Sequence, residues 1–149
     1  MDAAAARIKS LTSHLVSNFS AEEENIQSKP EASSKMAGSP LTSHVLDTAR
    51  GSPAADMRIE VYFLAGGQWK RISEGFTNSD GRCPGLLKQD QFLPGIYKMF
   101  FDTGAYFKNT NTKGFYPFVE VVFEIEDPSQ HYHVPLLLSP YSYSTYRGS

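Results

Sequence analysis

The sequence predicts an all-β domain, a β-sandwich of seven to eight short strands with one short helix, preceded by a flexible N-terminal tail. Three observations support this fold class. Apolar and polar residues alternate in several short stretches, as they do in half-buried strands. Turn-forming residues separate these stretches at short intervals. Aromatic residues reach 13%, with ten Phe and eight Tyr, and such residues favour the pleated surface of a sheet.

The alternation is clearest in 58–64, where Ile59, Val61 and Phe63 are interleaved with polar or amphipathic residues. The pair Gly66-Gly67 follows and predicts a hairpin to a second strand over 68–73. The same period predicts further strands over 96–101, 119–125, 131–139 and 141–147.

One stretch favours a helix. Residues 102–108 show no strand alternation, and Asp102 or Thr103 is suited to accept hydrogen bonds from the first turn as its N-cap.

The first 38 residues differ in composition from the rest. Over 20–39 only Ile26 and Met36 are large and apolar, which is too little buried surface to offset the entropy lost on ordering. We therefore divide the chain into an N-terminal targeting segment and linker, 1–38, and one domain, 39–149.

Composition excludes several classes of function. Fourteen basic and sixteen acidic residues give a net charge of −2, so no strong positive field supports nucleic-acid binding. No apolar run is long enough to span a membrane, and we expect no membrane partner. The single cysteine, Cys83, cannot form an internal disulfide or a multi-cysteine zinc site.

Two histidines stand out as candidates for chemistry. In a strand over 41–47, His44 shares a face with Thr42, and in 131–139 His133 shares a face with His131. The opposite face of the second strand is the more apolar and is the predicted core face; it contains Tyr132, Val134, Leu136 and Leu138. From periodicity alone the histidines are either exposed or structural, or they face a cleft or a subunit interface. Beyond scattered carboxylates, no third ligand cluster supports a zinc site. Function stays open at this point.

Two long motifs resolve this ambiguity by resemblance. Residues 44–59, which begin His-Val-Leu-Asp-Thr-Ala-Arg-Gly-Ser-Pro, resemble the N-terminal signature of the transthyretin family. Residues 132–145, Tyr-His-Val-Pro-Leu-Leu-Leu-Ser-Pro-Tyr-Ser-Tyr-Ser-Thr, resemble its C-terminal signature. The resemblance covers essentially all of 40–149, and it implies a transthyretin-like β-sandwich.

The resemblance also implies a branch of that family. His44, Arg82, His133 and the ending Tyr-Arg-Gly-Ser match the enzyme branch, whereas the thyroid-hormone carriers have lysine, an acidic residue and threonine at the first three positions. The enzyme branch hydrolyses 5-hydroxyisourate to 2-oxo-4-hydroxy-4-carboxy-5-ureidoimidazoline, which a decarboxylase converts to (S)-allantoin. The alternative is a non-catalytic carrier of a small ligand such as thyroid hormone.

The implied site residues suit this reaction. His44 and His133 are implied as the acid–base pair, because histidine exchanges protons near neutral pH and such catalysis contributes ~10²–10⁴ in rate. Arg82 is implied to polarise the substrate through its planar, permanently charged guanidinium. Tyr146, Arg147, Gly148 and Ser149 are implied to complete the substrate pocket. No metal or other cofactor is expected, and His131 matches no catalytic position of the family.

Assembly and localisation also follow from resemblance. The family forms homotetramers, as dimers of dimers, with sites in the channel between dimers. In the tail, Arg7 and Ile8 are followed after five residues by His14 and Leu15, a pattern that resembles the N-terminal peroxisomal targeting signal. We therefore expect recognition by a peroxisomal import receptor and a location in the peroxisome.

Overall fold

The computed structural model describes residues 38–149, and within them strands predominate, which confirms the predicted all-β class. Within these residues, ten strand segments and one α-helix follow one another along the chain. In chain order they are β1 (Leu41–Thr42), β2 (Val45–Asp47), β3 (Ser52–Pro53), β4 (Arg58–Ala65), β5 (Gln68–Phe76), β6 (Gly95–Phe101), α1 (Thr103–Asn109), β7 (Val119–Ile125), β8 (Tyr132–His133), β9 (Leu136–Ser139) and β10 (Ser142–Ser144). A 3-10 turn, Gln89–Gln91, precedes β6.

The first sheet is antiparallel, with strand order β5-β4-β6-β7. Its β4–β5 hairpin turns at Gly66 and Gly67, whose φ angles of 59° and 74° are accessible to glycine without steric cost. The three predicted strands 58–64, 96–101 and 119–125 are confirmed within one residue at each end. The strand predicted over 68–73 continues to Phe76.

The second sheet has the order β10-β9-β2-β3, and β1 pairs separately with β8. Here β2 runs parallel to β9, and β1 runs parallel to β8, with Thr42 opposite His133 in register. The continuous strand predicted over 131–139 is wrong, because the chain leaves the ladder between β8 and β9 at Pro135, which has no N–H to donate. The strand predicted over 141–147 is likewise shorter and ends at Ser144.

The hydrophobic core is built from apolar side chains of both sheets. It includes Ile59 and Val61 of β4, and Met99 and Phe101 of β6, all of which are fully buried. The core face predicted for the C-terminal strand is confirmed, since Tyr132, Val134, Leu136 and Leu138 all belong to this cluster. Burying one such large apolar side chain contributes about 1.5–3 kcal/mol, so the core holds β8 and β9 firmly beneath the site described below.

The helix α1 is the helix that the sequence predicts. The Asp102 side chain caps it by accepting a hydrogen bond from the Ala105 amide at 3.2 Å. On its buried side the Tyr106 hydroxyl donates to the Asp47 carboxylate at 2.7 Å, and burial together with this bond raises the pKa of Tyr106 to about 12. The helix is therefore fastened to the end of β2, three residues after His44.

No helix within residues 38–149 is long and apolar enough to cross a membrane. The predicted targeting motif, with Arg7, Ile8, His14 and Leu15, lies outside the described residues. The division at residue 38 and the peroxisomal address both stay predictions.

Candidate active site

His44 lies in the short gap between β1 and β2, with 6% of its surface exposed. Its backbone pairs on both sides: His44 forms an antiparallel bridge with Arg82, and its carbonyl accepts a hydrogen bond from the Leu136 amide at 2.9 Å. His44 therefore lies between the arginine segment and the C-terminal strand β9.

A tight turn places Arg82 next to His44. The Asn78 side-chain oxygen accepts hydrogen bonds from the amides of Asp80, at 2.9 Å, and Arg82, at 3.1 Å. Gly81 has a φ of 75°, and a Cβ built there would lie 2.4 Å from the Val45 carbonyl oxygen and 3.2 Å from Cδ2 of the His44 ring. Only glycine lets the turn approach this closely, so Gly81 fixes the position of Arg82 beside His44.

His133 lies in β8 and is 2% exposed. Its Nδ1 is 2.8 Å from the hydroxyl of Thr42, its partner in the parallel β1–β8 pair. Its backbone exchanges two hydrogen bonds with Gly148, at 2.8 Å and 3.2 Å. The imidazole is thus held by β1 on one side and by the C-terminus on the other.

The electrostatics of the site keep both histidines neutral at physiological pH. Burial lowers the pKa of His44 to about 4, and the Arg82 charge acts in the same direction, while the backbone and charge of Asp80 oppose the shift. The pKa of His133 is likewise lowered to about 4. Burial is the largest cause, and electrostatic interaction with Arg82, His44 and His131 acts in the same direction. The structure therefore brings His44, Arg82 and His133 into one electrostatically coupled group.

The four C-terminal residues divide between two places. Gly148 packs against the His133 ring, whereas Arg147 places its guanidinium carbon 4.7 Å from the ring centroid of Tyr132 and donates to the Gln130 side chain at 3.0 Å. Tyr146 and Arg147 help to line a cleft of about 340 Å³ along β7. The other lining residues are Val121, Val122, Phe123, Glu124, Tyr132, Val134 and Thr145.

Neither histidine nor Arg82 lines that cleft in the single chain. Of the predicted C-terminal site residues, Gly148 therefore contacts His133, whereas Tyr146 and Arg147 line the cleft along β7. Ser149 is the exposed terminal residue that follows Gly148. The roles of Tyr146, Arg147 and Ser149 in substrate binding stay predictions.

Two further polar residues adjoin the site and were not assigned to it from the sequence. The Thr42 hydroxyl that contacts His133 also lies 3.1 Å from Nε2 of the exposed His131. Periodicity places Thr42 on the face of His44, and His131 on the face of His133. It does not show that these two strands pair with each other. The parallel β1–β8 pair supplies that contact.

The donor set of the site differs from that of a metal centre. Among residues 38–149 no group of three or more histidine, cysteine, aspartate or glutamate side chains is arranged to hold a metal ion. The one cysteine, Cys83, is buried, and burial raises the pKa of its thiol, which disfavours the reactive thiolate.

Fold and site together define a class of protein: a β-sandwich with two four-stranded sheets and a separate β1–β8 pair. Its N-terminal strands, a tight turn and its C-terminus hold two buried neutral histidines and an arginine. A family model described as the HIUase/Transthyretin family matches residues 41–148. The chain belongs to this family, as its two sequence motifs indicate.

Relatives with known names agree with this membership. A Mus musculus protein named 5-hydroxyisourate hydrolase is 55% identical over 113 residues, which cover 74% of this chain and 96% of the mouse protein. Sea bream transthyretin, solved in complex with thyroxine, superposes with a TM-score of 0.71 at 36% identity, over 73% of this chain and 94% of that one. The solved (S)-allantoin synthase gives a TM-score of 0.69 at 42% identity, over 76% of this chain and 44% of that one.

Proposed function

We propose that this protein is a hydrolase that converts 5-hydroxyisourate to 2-oxo-4-hydroxy-4-carboxy-5-ureidoimidazoline in the degradation of urate to (S)-allantoin. The observation that carries the proposal is the convergence of three residues from distant parts of the chain: the buried His44 and His133 and the half-buried Arg82. Relatives named 5-hydroxyisourate hydrolase, such as the mouse protein, support the substrate. A decarboxylation must follow, and the likeness to (S)-allantoin synthase supports this place in urate breakdown.

The chemistry begins with a water molecule that attacks a ring amide carbonyl of the substrate. A neutral imidazole can take a proton from this water, and with pKa values near 4 both His44 and His133 are neutral at pH 7. As the tetrahedral intermediate collapses, the carbon–nitrogen bond breaks, and an imidazole N–H supplies a proton to the leaving nitrogen. The reaction consumes one water and needs no redox step.

Arg82 stabilises the negative charge that develops on the carbonyl oxygen. Its guanidinium is permanently charged and carries a planar fork of donors. One such donor directed at an oxyanion contributes about 3–4 kcal/mol of transition-state stabilisation. The backbone bridge to His44 places this charge next to an acid–base group, as the reaction requires.

The alternative function is a non-catalytic carrier, which the likeness to sea bream transthyretin with bound thyroxine suggests. The pair of coupled histidines favours the hydrolase, because binding a hydrophobic two-ring hormone requires no buried proton-transfer groups. Arg82 also adds a half-buried positive charge, and an apolar ligand that bound here would have to remove water from it.

A direct assay tests the proposal. Freshly prepared 5-hydroxyisourate decays spontaneously, and its ultraviolet absorbance is followed with and without the protein. We expect a large acceleration that saturates with substrate. A decay rate equal to the spontaneous one, together with binding of thyroid hormone, would favour the carrier instead.

We further propose a homotetramer, a dimer of dimers. The outer strands β7 and β10 end their sheets and expose large apolar side chains, such as Val122, with 58% of its surface exposed, and Tyr143. Unpaired strand edges and exposed apolar patches of this kind favour association. Light scattering after gel filtration measures the mass, and a monomeric mass would contradict the proposal.

We propose that the protein is located in the peroxisome. An import receptor would recognise the targeting motif formed by Arg7, Ile8, His14 and Leu15. A fluorescent fusion to residues 1–38 should enter peroxisomes. Replacing Arg7 and Leu15 with alanine should leave it outside them.

A further inference from the structure

We propose that His131, Thr42 and His133 form a proton relay, in which the Thr42 hydroxyl carries a proton between the exposed imidazole and the buried one during hydrolysis. The inference rests on the proposed function, and it assigns a role to Thr42 and His131, which the sequence motifs do not. In this scheme Thr42 and His131 act through His133 and are positioning residues rather than groups that touch the substrate.

The geometry that carries the relay is a hydroxyl held between two rings. Thr42 Oγ1 lies 2.8 Å from Nδ1 of His133 and 3.1 Å from Nε2 of His131, both within hydrogen-bond distance. The arrangement comes from the backbone: Thr42 and His133 are opposite one another in the parallel β1–β8 pair, and the Thr42 carbonyl also accepts the Val134 amide at 2.9 Å. The hydroxyl is therefore fixed between the rings.

Hydrogen accounting couples the two rings. A threonine hydroxyl has one hydrogen to donate, and a neutral imidazole has one nitrogen that donates and one that accepts. If the hydroxyl donates to one ring, the other ring completes the chain by donating to the hydroxyl. When His131 donates, His133 has its hydrogen on Nε2. When His133 donates from Nδ1, its Nε2 carries no hydrogen and can take a proton.

A proton can thus cross the site without charging the buried ring. Water loses a proton to Nε2 of His133, the Nδ1 proton of His133 passes to Thr42 Oγ1, and the hydroxyl proton passes to Nε2 of His131. His131 then releases the proton on its Nδ1 to solvent. One proton enters at His133 and one leaves at His131, and each ring ends with the number of protons with which it began. The reverse shift restores the first tautomer and supplies the proton for the leaving nitrogen.

The relay removes an energetic problem. His133 is almost fully buried near Arg82 and His44, and burial with these charges lowers its pKa to about 4, so an imidazolium there is costly. His131 is exposed, and water can stabilise its charge. Moving the second proton outwards lets His133 act as a base while it remains neutral.

The test measures kcat and KM with 5-hydroxyisourate for matched variants. His131→Gln keeps a polar group that can bond the Thr42 hydroxyl but cannot pass a proton through a ring; we expect kcat to fall about tenfold or more, with KM within about twofold, and added imidazole to restore part of the rate. Thr42→Val should lower kcat similarly, whereas Thr42→Ser, which keeps the hydroxyl, should recover most of it. Thr48→Val is the control, because it makes the same change at a hydroxyl that donates, within residues 38–149, to the Leu138 carbonyl at 3.1 Å. It should retain wild-type kcat.

The outcomes separate the relay from the function on which it rests. Because His131 is exposed, its glutamine variant should fold even if Thr42→Val does not, and wild-type kcat in that variant would overturn the relay. Loss in Thr42→Ser as large as in Thr42→Val would overturn it as well. A wild-type protein that does not accelerate hydrolysis would overturn the proposed function and the relay together. Nitrogen NMR of the imidazoles adds a check: hydrogens on both His133 Nδ1 and His131 Nε2 would contradict the coupled tautomers.

Discussion

The ring of His133 lies directly against the backbone of Gly148. A Cβ built at Gly148 would be 3.0 Å from both Cβ and Cδ2 of His133, closer than side chains normally approach, and the two residues exchange both backbone hydrogen bonds. The C-terminus therefore acts as a wall that sets the position of a catalytic candidate. This contact links the end of the chain to the proposed chemistry.

Replacing Gly148 with alanine should shift the His133 ring by a few tenths of an ångström and lower kcat/KM by about tenfold, because misplaced catalytic groups lose rate steeply. The variant should keep its circular dichroism spectrum. Gly38→Ala is the matched control, since no atom of the described residues lies within 4 Å of a Cβ at that position. Equal activity of the two alanine variants would contradict the role of this wall.

His133→Asn should fold and lose most of the hydrolysis, about a hundredfold or more, because it removes a proton carrier and leaves a polar side chain in its place. Asparagine is close in size to the part of the ring that reaches Thr42, so the core cluster beneath is not disturbed. The measurement is initial-rate decay of 5-hydroxyisourate, with folding checked by circular dichroism. Near-wild-type turnover in the folded variant would remove His133 from the mechanism.

Stability should fall as the pH decreases from about 6.5 to about 4. His44 and His133 have folded-state pKa values of about 4, against an ordinary value of 6.5, so the unfolded chain binds more protons than the folded one in this window. Their contribution is fully present above pH 6.5 and is lost as protons bind the unfolded state. Each histidine accounts for at most on the order of 3 kcal/mol. Thermal melts across the window measure the loss.

The variant His133→Asn isolates this contribution from the acid titration of carboxylates. Without the second imidazole, the melting temperature should decrease less steeply between pH 6.5 and pH 4 than in the wild type. Parallel curves for the two proteins would show that His133 has an ordinary pKa in the folded state.

Sequence reading succeeded where one face of a strand is buried. In β4, β6 and β7 the alternation follows directly from the pleat, since residues such as Ile59 and Met99 must point into the core. The helix α1 was also predictable, because the Asp102 cap acts locally. The resemblance to family motifs supplied the three site residues, and the structure brings these together.

Long-range register was not readable from the sequence. Thr42 and His133 are 91 positions apart, and their pairing depends on which strands meet rather than on the period within either strand. The same limit applies to Arg147, whose guanidinium lies over Tyr132. Pro135 interrupts the ladder, whereas the apolar alternation of Val134, Leu136 and Leu138 continues across it and predicts one continuous strand, which is why that prediction is wrong.

Chelation should leave the activity intact. The prediction rests on the chemistry of the donors: the permanently charged Arg82 guanidinium repels a cation, and within residues 38–149 no third metal ligand is grouped with the two imidazoles. Dialysis against a strong chelator, followed by the 5-hydroxyisourate assay, measures the effect. Loss of activity that added zinc restores would show that a metal takes part.

The two ends of the chain should behave in opposite ways when they are removed. Deleting residues 1–38 should leave hydrolysis and melting temperature nearly unchanged, because the hydrogen bonds of Ser39 to the carbonyls of Leu41, at 2.7 Å, and Leu87, at 3.0 Å, remain in the shortened chain. Import into peroxisomes should fail, because the proposed signal is gone. A truncated protein that unfolds would contradict the division at residue 38.

Deleting residues 146–149 should instead keep the fold and severely reduce hydrolysis. The core cluster contains none of these residues, so the sheets should remain intact. The deletion removes both backbone bonds between Gly148 and His133, the wall against the His133 ring, and the Arg147 guanidinium. His133 would then be exposed to water and less well oriented, and its pKa should rise towards the ordinary value because burial is the main cause of the shift. We therefore expect two changes together: kcat should fall, and the acid limb of the pH–rate profile should shift to higher pH. Full activity after this deletion would show that the C-terminal tetrapeptide is only an end of the chain.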